Sequence, residues 1–272
     1  MLTDPADSLL ASLALAAEDM FTDTAQLTPP ASPRLAAAGW TLRGHLAATD
    51  AVMSRSPDAG PVYYGYVAQD AGNRWLVSVR GTQRLIEWLE DMEGWHSAFD
   101  HGQVAHPGAG QVHAGFWEIY SSMVLVGDIA HLPAARGIAA LCAGAERVTV
   151  IGHSLGAAQS TFLAVDLAPS FPGRLSARHF ASPRTGNKEW TQYADTRVAD
   201  CRVYANENDL VPKVPFGFGY APLGSLVELP PPGILHDNPL CNHHAGVYSW
   251  ILDRTTAESV GLDQQTVSCL AG

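Results

Sequence analysis

The sequence predicts a single α/β domain whose mainly parallel central sheet is covered by helices on both faces. Three observations predict it: helical patterns alternate with short β-branched runs from about residue 60 onward, no repeat or low-complexity linker divides the 272 residues, and 47% of them are hydrophobic against 16% charged. Strand–helix alternation of this kind implies crossover connections, which lay helices over both faces of a parallel sheet. The apolar fraction supplies a core and excludes a chain dominated by disorder. Residues 1–272 are therefore read as one domain, with 1–58 as an N-terminal helical extension packed on it.

The first element is an amphipathic helix. Asp4 is placed to cap it, Pro5 suits the first helical position, and Leu9, Leu10, Leu13 and Met20 face inward. Residues 62–67 read as a strand, 71–73 as a turn and 75–79 as the next strand. A long helical stretch is expected from about 116 to 143, broken or kinked at Pro133 because proline removes a helical hydrogen bond. Residues 147–151 form a buried strand and 155–167 a helix; 176–181 and 202–205 are further strands, with a helix near 188–196 between them.

The net charge is −11 and no lysine- or arginine-rich run occurs. Nucleic-acid binding needs a basic footprint to displace counterions, so that class is excluded. Anionic membrane surfaces repel the chain unless an apolar face does the docking. No stretch approaches the length of a transmembrane helix. The apolar run at residues 9–17 follows Asp4 and Asp7 rather than a basic segment, so no secretory signal is visible. The expected location is the cytoplasm, or export by a route without a classical signal; a signal already removed ahead of residue 1 is the other reading. Cys142, Cys201, Cys241 and Cys269 lack zinc-ligand spacing and are too sparse for a disulfide scaffold. One bridge, Cys241–Cys269, and four free thiols both stay open.

The strongest motif is Gly152-His153-Ser154-Leu155-Gly156. An apolar strand ends at Ile151 and an alanine-rich helix begins at Leu155, and this strand–turn–helix setting is what the nucleophile of an α/β hydrolase requires. The glycines let the backbone through a cramped turn and leave the Ser154 hydroxyl exposed at the helix N-terminus. A plain glycine-rich β–α turn is the bland alternative. Serine is a weak nucleophile at neutral pH, so it needs a base and an orienting carboxylate, which in this fold follow it in the order acid, then histidine. Asp209 lies just past a strand end and immediately before Leu210-Val211-Pro212; it is favoured over Glu207, which reads as a solvated loop charge. The base must come from His236, His243 or His244, and His243 has the best setting, just before the apolar segment 247–252, while the adjacent His244 points elsewhere. His153 leaves the turn in a different direction from Ser154 and is expected to pack beneath it. The N–H of Leu155, first in the helix, is a donor available to a developing oxyanion.

These residues resemble the class 3 lipases, the fungal-lipase-like branch of the α/β hydrolases, over roughly residues 60–252. Val79-Arg80-Gly81-Thr82 is similar to the family's oxyanion segment at a strand end, Glu87-Trp88-Leu89-Glu90-Asp91 to its Trp-x-x-Asp, and Val112-His113-Ala114-Gly115-Phe116 to its His-x-Gly-Phe. Phe180 to Asn187 carries a Ser-Pro-Arg-x-Gly-Asn segment, and Asn208-Asp209-Leu210-Val211-Pro212 and His243 with Tyr248 match the acid and base segments. The resemblance implies an α/β-hydrolase fold with a lid-like helix and Ser154, Asp209 and His243 as the catalytic triad. It also implies Thr82 beside Leu155 in the oxyanion hole, and a supporting rather than chemical role for His113.

After Thr82, Leu85, Trp88, Leu89, Met92 and Trp95 recur at helical spacing, with Arg84, Glu87, Glu90 and Asp91 opposite. The segment resembles the family's lid, which covers the site and opens at a lipid surface; an ordinary packed surface helix is the alternative. Its acidic residues favour neutral lipid or soluble ester substrates over anionic membranes. The Pro/Gly-rich stretch between Pro215 and Asn242 is expected to line the acyl or alcohol pocket. Two features depart from the familiar secreted members: no signal peptide is recognisable, and the cysteines do not clearly pair the N-terminal helix with the C-terminus. The implied activity is hydrolysis of lipid esters, as by a triacylglycerol or acylglycerol lipase, through an acyl-enzyme and with no metal or cofactor. The implied partners are a lipid or small-molecule ester substrate and, transiently, a lipid interface met through the lid. Alternatives are a short-chain or feruloyl-type esterase and a phospholipase, for instance an antibacterial effector. From a different class comes a lipase-like binding protein, whose expected mark is loss of a triad member; all three candidates are present.

Overall fold

The computed structural model describes residues 4–21, 26–49, 60–81, 108–126, 132–215 and 219–271. Helix α1 (Pro5–Asp19) starts as expected: Asp4 accepts a hydrogen bond from the Asp7 N–H and Pro5 occupies the first turn. Such a cap contributes about 1 kcal/mol. Leu13 and Met20 are buried, and Leu9 and Leu10 are half-buried against the same cluster. A short helix, α2 (Pro33–Ala37), leads into strand β1 (Trp40–Thr49), followed by the hairpin of β2 (Pro61–Asp70) and β3 (Arg74–Val79). The expected helical extension over residues 1–58 is thus only in part helical, because β1 is a full strand antiparallel to β2. Two register irregularities, between Leu42 and Gly44 and between Leu46 and Ala47, interrupt the in–out alternation that would otherwise mark it as a strand.

The long helix expected over residues 116–143 is instead α3 (Ala114–Ser121), β4 (Val124–Val126), β5 (Leu132–Pro133) and α4 (Ala134–Leu141). Val124 to Val126 pair with β1, and Pro133 sits in an edge strand and hands over to α4 from its N-cap, where a missing N–H is harmless. The next elements agree with the sequence reading: β6 (Arg147–His153), α5 (Leu155–Leu167), β7 (Leu175–Phe180), α6 (Lys188–Arg197) and β8 (Cys201–Asn206). Strand β9 (Leu226–Leu229) and helices α7 (Pro239–His243), α8 (Ala245–Leu252), α9 (Arg254–Val260) and α10 (Gln264–Cys269) follow.

The described strands lie in the order β5-β4-β1-β2-β3-β6-β7-β8-β9. All neighbours from β3 to β9 are parallel, which is the α/β core the alternation predicts, and the antiparallel strands on the other side widen it into a mixed sheet. Alternate residues of one strand serve opposite faces: Val148 and Val150 join Ile138, Phe162 and Trp190, whereas Ile151 joins Leu13, Phe180, Tyr204 and Tyr248. Each such side chain stabilises the fold by about 1.5–3 kcal/mol on burial.

Helix α1 is fixed to its face by polar contacts as well. The buried Asp7 pairs with Arg178 of β7 at 2.9 Å, and the Ser8 hydroxyl donates to the Ser249 carbonyl of α8 at 2.8 Å. Cys241 and Cys269 form a disulfide joining α7 to α10, while Cys142 and Cys201 remain thiols. No described helix is long and apolar enough to cross a membrane.

Candidate active site

The C-terminal ends of the parallel strands meet at one edge of the sheet. Val79 of β3 pairs with Gly152 of β6, and His153 pairs with Phe180 of β7, so the exits of all three strands are level. Between β6 and α5 the chain reverses at Ser154, with φ 58° and ψ −131°. This conformation is sparsely populated and costs about 1–3 kcal/mol, which the packing of strand and helix must hold in place. The motif's glycines are required by close approach: a Cβ on Gly156 would overlap the Val79 carbonyl, and one on Gly152 would overlap the carbonyl of Gly156. Ser154 is 1% exposed, and its hydroxyl has no hydrogen-bond partner among the described residues.

Asp209 follows β8 in a tight turn whose N–H returns to the Asn206 carbonyl. Its carboxylate accepts from His243 Nδ1 at 2.8 Å, from the Tyr248 hydroxyl at 2.7 Å and from the Val211 N–H at 2.9 Å. The Tyr248 oxygen in turn accepts the Asn206 N–H, and the Asn206 amide donates to the Asn242 carbonyl, which ties the end of β8 to α7. With Nδ1 held by the carboxylate, His243 presents Nε2, which is buried and has no partner among the described residues. Burial lowers the basicity of this ring, the Asp209 charge opposes the effect, and the balance lies below the ordinary imidazole value. The His243 ring is therefore neutral at pH 7, with the Nε2 lone pair free of any partner among the described residues. Buried polar atoms without partners cost about 1–3 kcal/mol each, and Ser154 Oγ and His243 Nε2 are two of them in one neighbourhood.

His153 lies under the turn, as expected. Its Nδ1 is 2.7 Å from the Glu18 carboxylate of α1, its Nε2 is 2.6 Å from the backbone carbonyl of His243, and the two histidine rings are 4.6 Å apart. Of the alternatives, His244 bonds to Asp263 at 3.0 Å, His236 is on the surface, and Glu207 is exposed. Leu155 is buried at the first position of α5, where its N–H finds no acceptor within the helix. His113 caps α3 by accepting the Phe116 N–H, stacks on Phe116 at 4.2 Å and is held by burial at a pKa of about 4.

Thr82, the segment from Leu85 to Trp95 and residues 216–218 lie outside the described residues. The described chain reaches Gly81, where an added Cβ would lie 3.1 Å from Ser154 Cβ. Arg80 secures that exit, donating to the Tyr63 carbonyl at 2.7 Å and lying 3.7 Å over the Phe21 ring. Of the stretch between Pro215 and Asn242, Tyr220 faces His113 and Leu223 is buried. Sequence reasoning missed Glu18 and the Tyr248 phenol. The position of Tyr248, five residues after His243, was the available signal for the second; Glu18 has none, because its partner is 135 residues away.

Residues 76–218 match the family model described as lipase (class 3). Over 203 residues the chain is 30% identical to phospholipase A1-II 3 of Oryza sativa subsp. indica, covering 61% of this chain and 48% of that protein. It is also 32% identical over 158 residues to the secreted mono- and diacylglycerol lipase A of Penicillium cyclopium, covering 57% and 48%. The chain thus spans about half the length of the curated relatives it matches. Among solved structures, the lipase from Rhizopus microsporus var. chinensis superposes with a TM-score of 0.61 at 19% identity, covering 96% of this chain and 87% of the other. Lipase II from Rhizopus niveus gives 0.59 at 20% identity, covering 82% and 78%. At such identities these likenesses establish the α/β-hydrolase fold.

Proposed function

Because the chain belongs to the class 3 lipase family, we propose that it is a serine carboxylic-ester hydrolase acting on lipid esters, with acylglycerols as the substrate class. The observation that carries this reading is the buried Asp209–His243 pair, whose Nε2 has no partner among the described residues and whose ring lies 4.6 Å from that of His153, the residue next to Ser154. Ser154 Oγ bonds to the ester carbonyl carbon as its proton passes to His243 Nε2, and the carbonyl pair moves onto oxygen. The N–H groups of Leu155 and Thr82 meet that oxyanion, each donor contributing about 2.7–4 kcal/mol. The C–O bond to the alcohol then breaks, with the proton returning from His243 to the leaving oxygen. Water repeats the sequence on the acyl-serine and releases the carboxylic acid. Asp209 keeps the His243 proton on Nδ1, and the Tyr248 and Val211 donors keep Asp209 in place.

The apolar stripe between Leu85 and Trp95 meets the lipid interface in this reading. Its test is hydrolysis of p-nitrophenyl esters from acetate to palmitate, below and above their solubility. Rates that favour long chains and jump when an interface forms are expected. Activity confined to short soluble esters, without a jump, would make the protein an esterase. Cleavage of phospholipid esters is a second reading, favoured by the likeness to proteins named phospholipase A1; phosphatidylcholine vesicles in the same assay separate it.

The pH dependence has a definite sign. Only neutral His243 can take the serine proton, and burial lowers the pKa of that ring, so kcat/KM on a soluble ester rises with pH along an acid limb whose midpoint is below 6.5. A profile without an acid limb contradicts the assignment of His243 as base; a midpoint above 6.5 overturns only the expected direction of the shift.

A further inference from the structure

We propose that Glu18 and His153 are positioning residues for the triad: the Glu18 carboxylate holds His153 as a charged double donor, and the second N–H of that ring fixes the His243 backbone carbonyl. The inference rests on the reading of Ser154, His243 and Asp209 given above. The argument begins with what the two partners of His153 can do. A carboxylate and a peptide carbonyl are both acceptors, so a ring bonded to Glu18 at 2.7 Å and to the His243 carbonyl at 2.6 Å must supply a proton at each nitrogen. His153 is therefore an imidazolium and Glu18 its counterion, in a site where His153 is 4% exposed.

The placement gives this pair its role. His153 is covalently next to Ser154, and its bonded carbonyl belongs to His243 itself, so the ring spans nucleophile and base within one residue of each. Glu18 comes from α1, and a Cβ on Gly81 would lie 3.3 Å from its carboxylate, so the same group flanks the exit of β3. The titratable groups facing the two rings are the Glu18 carboxylate from α1, the Asp209 carboxylate after β8 and the neutral Tyr248 phenol from α8, with His244 beyond them already paired to Asp263. The His153 ring lies 4.6 Å from that of His243, and Glu18 bonds the other ring nitrogen, so the nearer charge is positive. Burial is the main cause that holds His243 below the ordinary imidazole value, and that charge adds to it, while the Glu18 carboxylate raises His153.

Glu18→Gln keeps a hydrogen bond and removes the charge; Glu18→Ala removes both. On a soluble ester, Glu18→Gln is expected to move the acid limb of kcat/KM up by about half a pH unit or more, because the neighbouring cation is lost with its counterion. Glu18→Ala is expected to lower kcat about ten- to a hundredfold with KM nearly unchanged, by freeing the His243 carbonyl, and Glu18→Gln should recover part of that loss. If α1 merely packs there, both variants lower the melting temperature but leave the acid limb at its wild-type position, which overturns the proposal. Nitrogen-15 NMR of the wild-type histidine rings needs no variant to fold: both His153 nitrogens should be protonated at pH 7, and a neutral ring overturns the proposal. Full activity of Ser154→Ala would remove the hydrolase reading and the positioning role with it. A neutral His153 beside an inactive Ser154→Ala removes only the positioning role.

Discussion

Ser154→Ala is expected to lower kcat on a soluble ester by about four to six orders of magnitude while leaving the protein at least as stable as wild type. The loss follows from chemistry: the proposed acyl-enzyme forms on this oxygen, and triad members act as a unit, so removing the nucleophile forfeits nearly everything the unit contributes. The residual rate comes from oxyanion donors and binding alone. The stability expectation is independent of mechanism. The hydroxyl is buried with no partner among the described residues, and a buried unsatisfied group costs about 1–3 kcal/mol, so its deletion relieves a penalty and opens almost no cavity. Alanine keeps the Cβ that already tolerates φ 58°. Turnover and thermal melting of the same sample check both halves. A variant that keeps more than about a thousandth of the activity would refute Ser154 as nucleophile.

Asp209→Asn is expected to lower kcat by about four orders of magnitude with a far smaller change in KM. The carboxylate accepts from three donors at once: His243 Nδ1, the Tyr248 hydroxyl and the Val211 N–H. An asparagine amide can accept at one end only. If its oxygen stays with the Val211 N–H, its NH2 replaces the oxygen shared by His243 and Tyr248 and forces Nδ1 to accept, which moves the ring proton to Nε2. The base then points a donor at Ser154. If the amide turns the other way, its oxygen keeps His243 and Tyr248, but its NH2 opposes the Val211 N–H and the turn after β8 loosens. The steady-state constants across pH check this, and a loss of less than tenfold would pass the acid's role to another carboxylate.

Local chemistry explains what could be read from the sequence. β6, the turn at Ser154 and α5 form one continuous pattern of apolar strand, glycine, serine, glycine and alanine-rich helix, and each part constrains the next. Asp209 and His243 were legible because both sit at element ends, just past β8 and at the last position of α7. The antiparallel half of the sheet was not. Strand β1 carries two irregularities that scramble its alternation, and β4 and β5 are only three and two residues long, too short to outweigh the helical flanks of residues 116–143. Such strands exist because a neighbour supplies their hydrogen bonds, and that neighbour is not local in sequence. Glu18 was illegible for the same reason. On its own helix it reads as an ordinary surface carboxylate near a C-terminus.

The docking of α1 against α8 also determines when the molecule can become whole. The Asp4 N–H donates to the Leu252 carbonyl, and the Ser8 hydroxyl meets a carbonyl 241 positions further along. A ribosome makes α1 long before α8, so the helix must wait, with Leu13 and Met20 uncovered, while the sheet is built. Closing so long a loop is slow, and apolar surface left open in the meantime is where chaperones and aggregation compete. The turn at Ser154 is synthesised about ninety residues before His243. Helices α7 and α8, which carry His243 and the wall on which α1 comes to rest, are thus made only after the turn at Ser154 and strands β6 to β9.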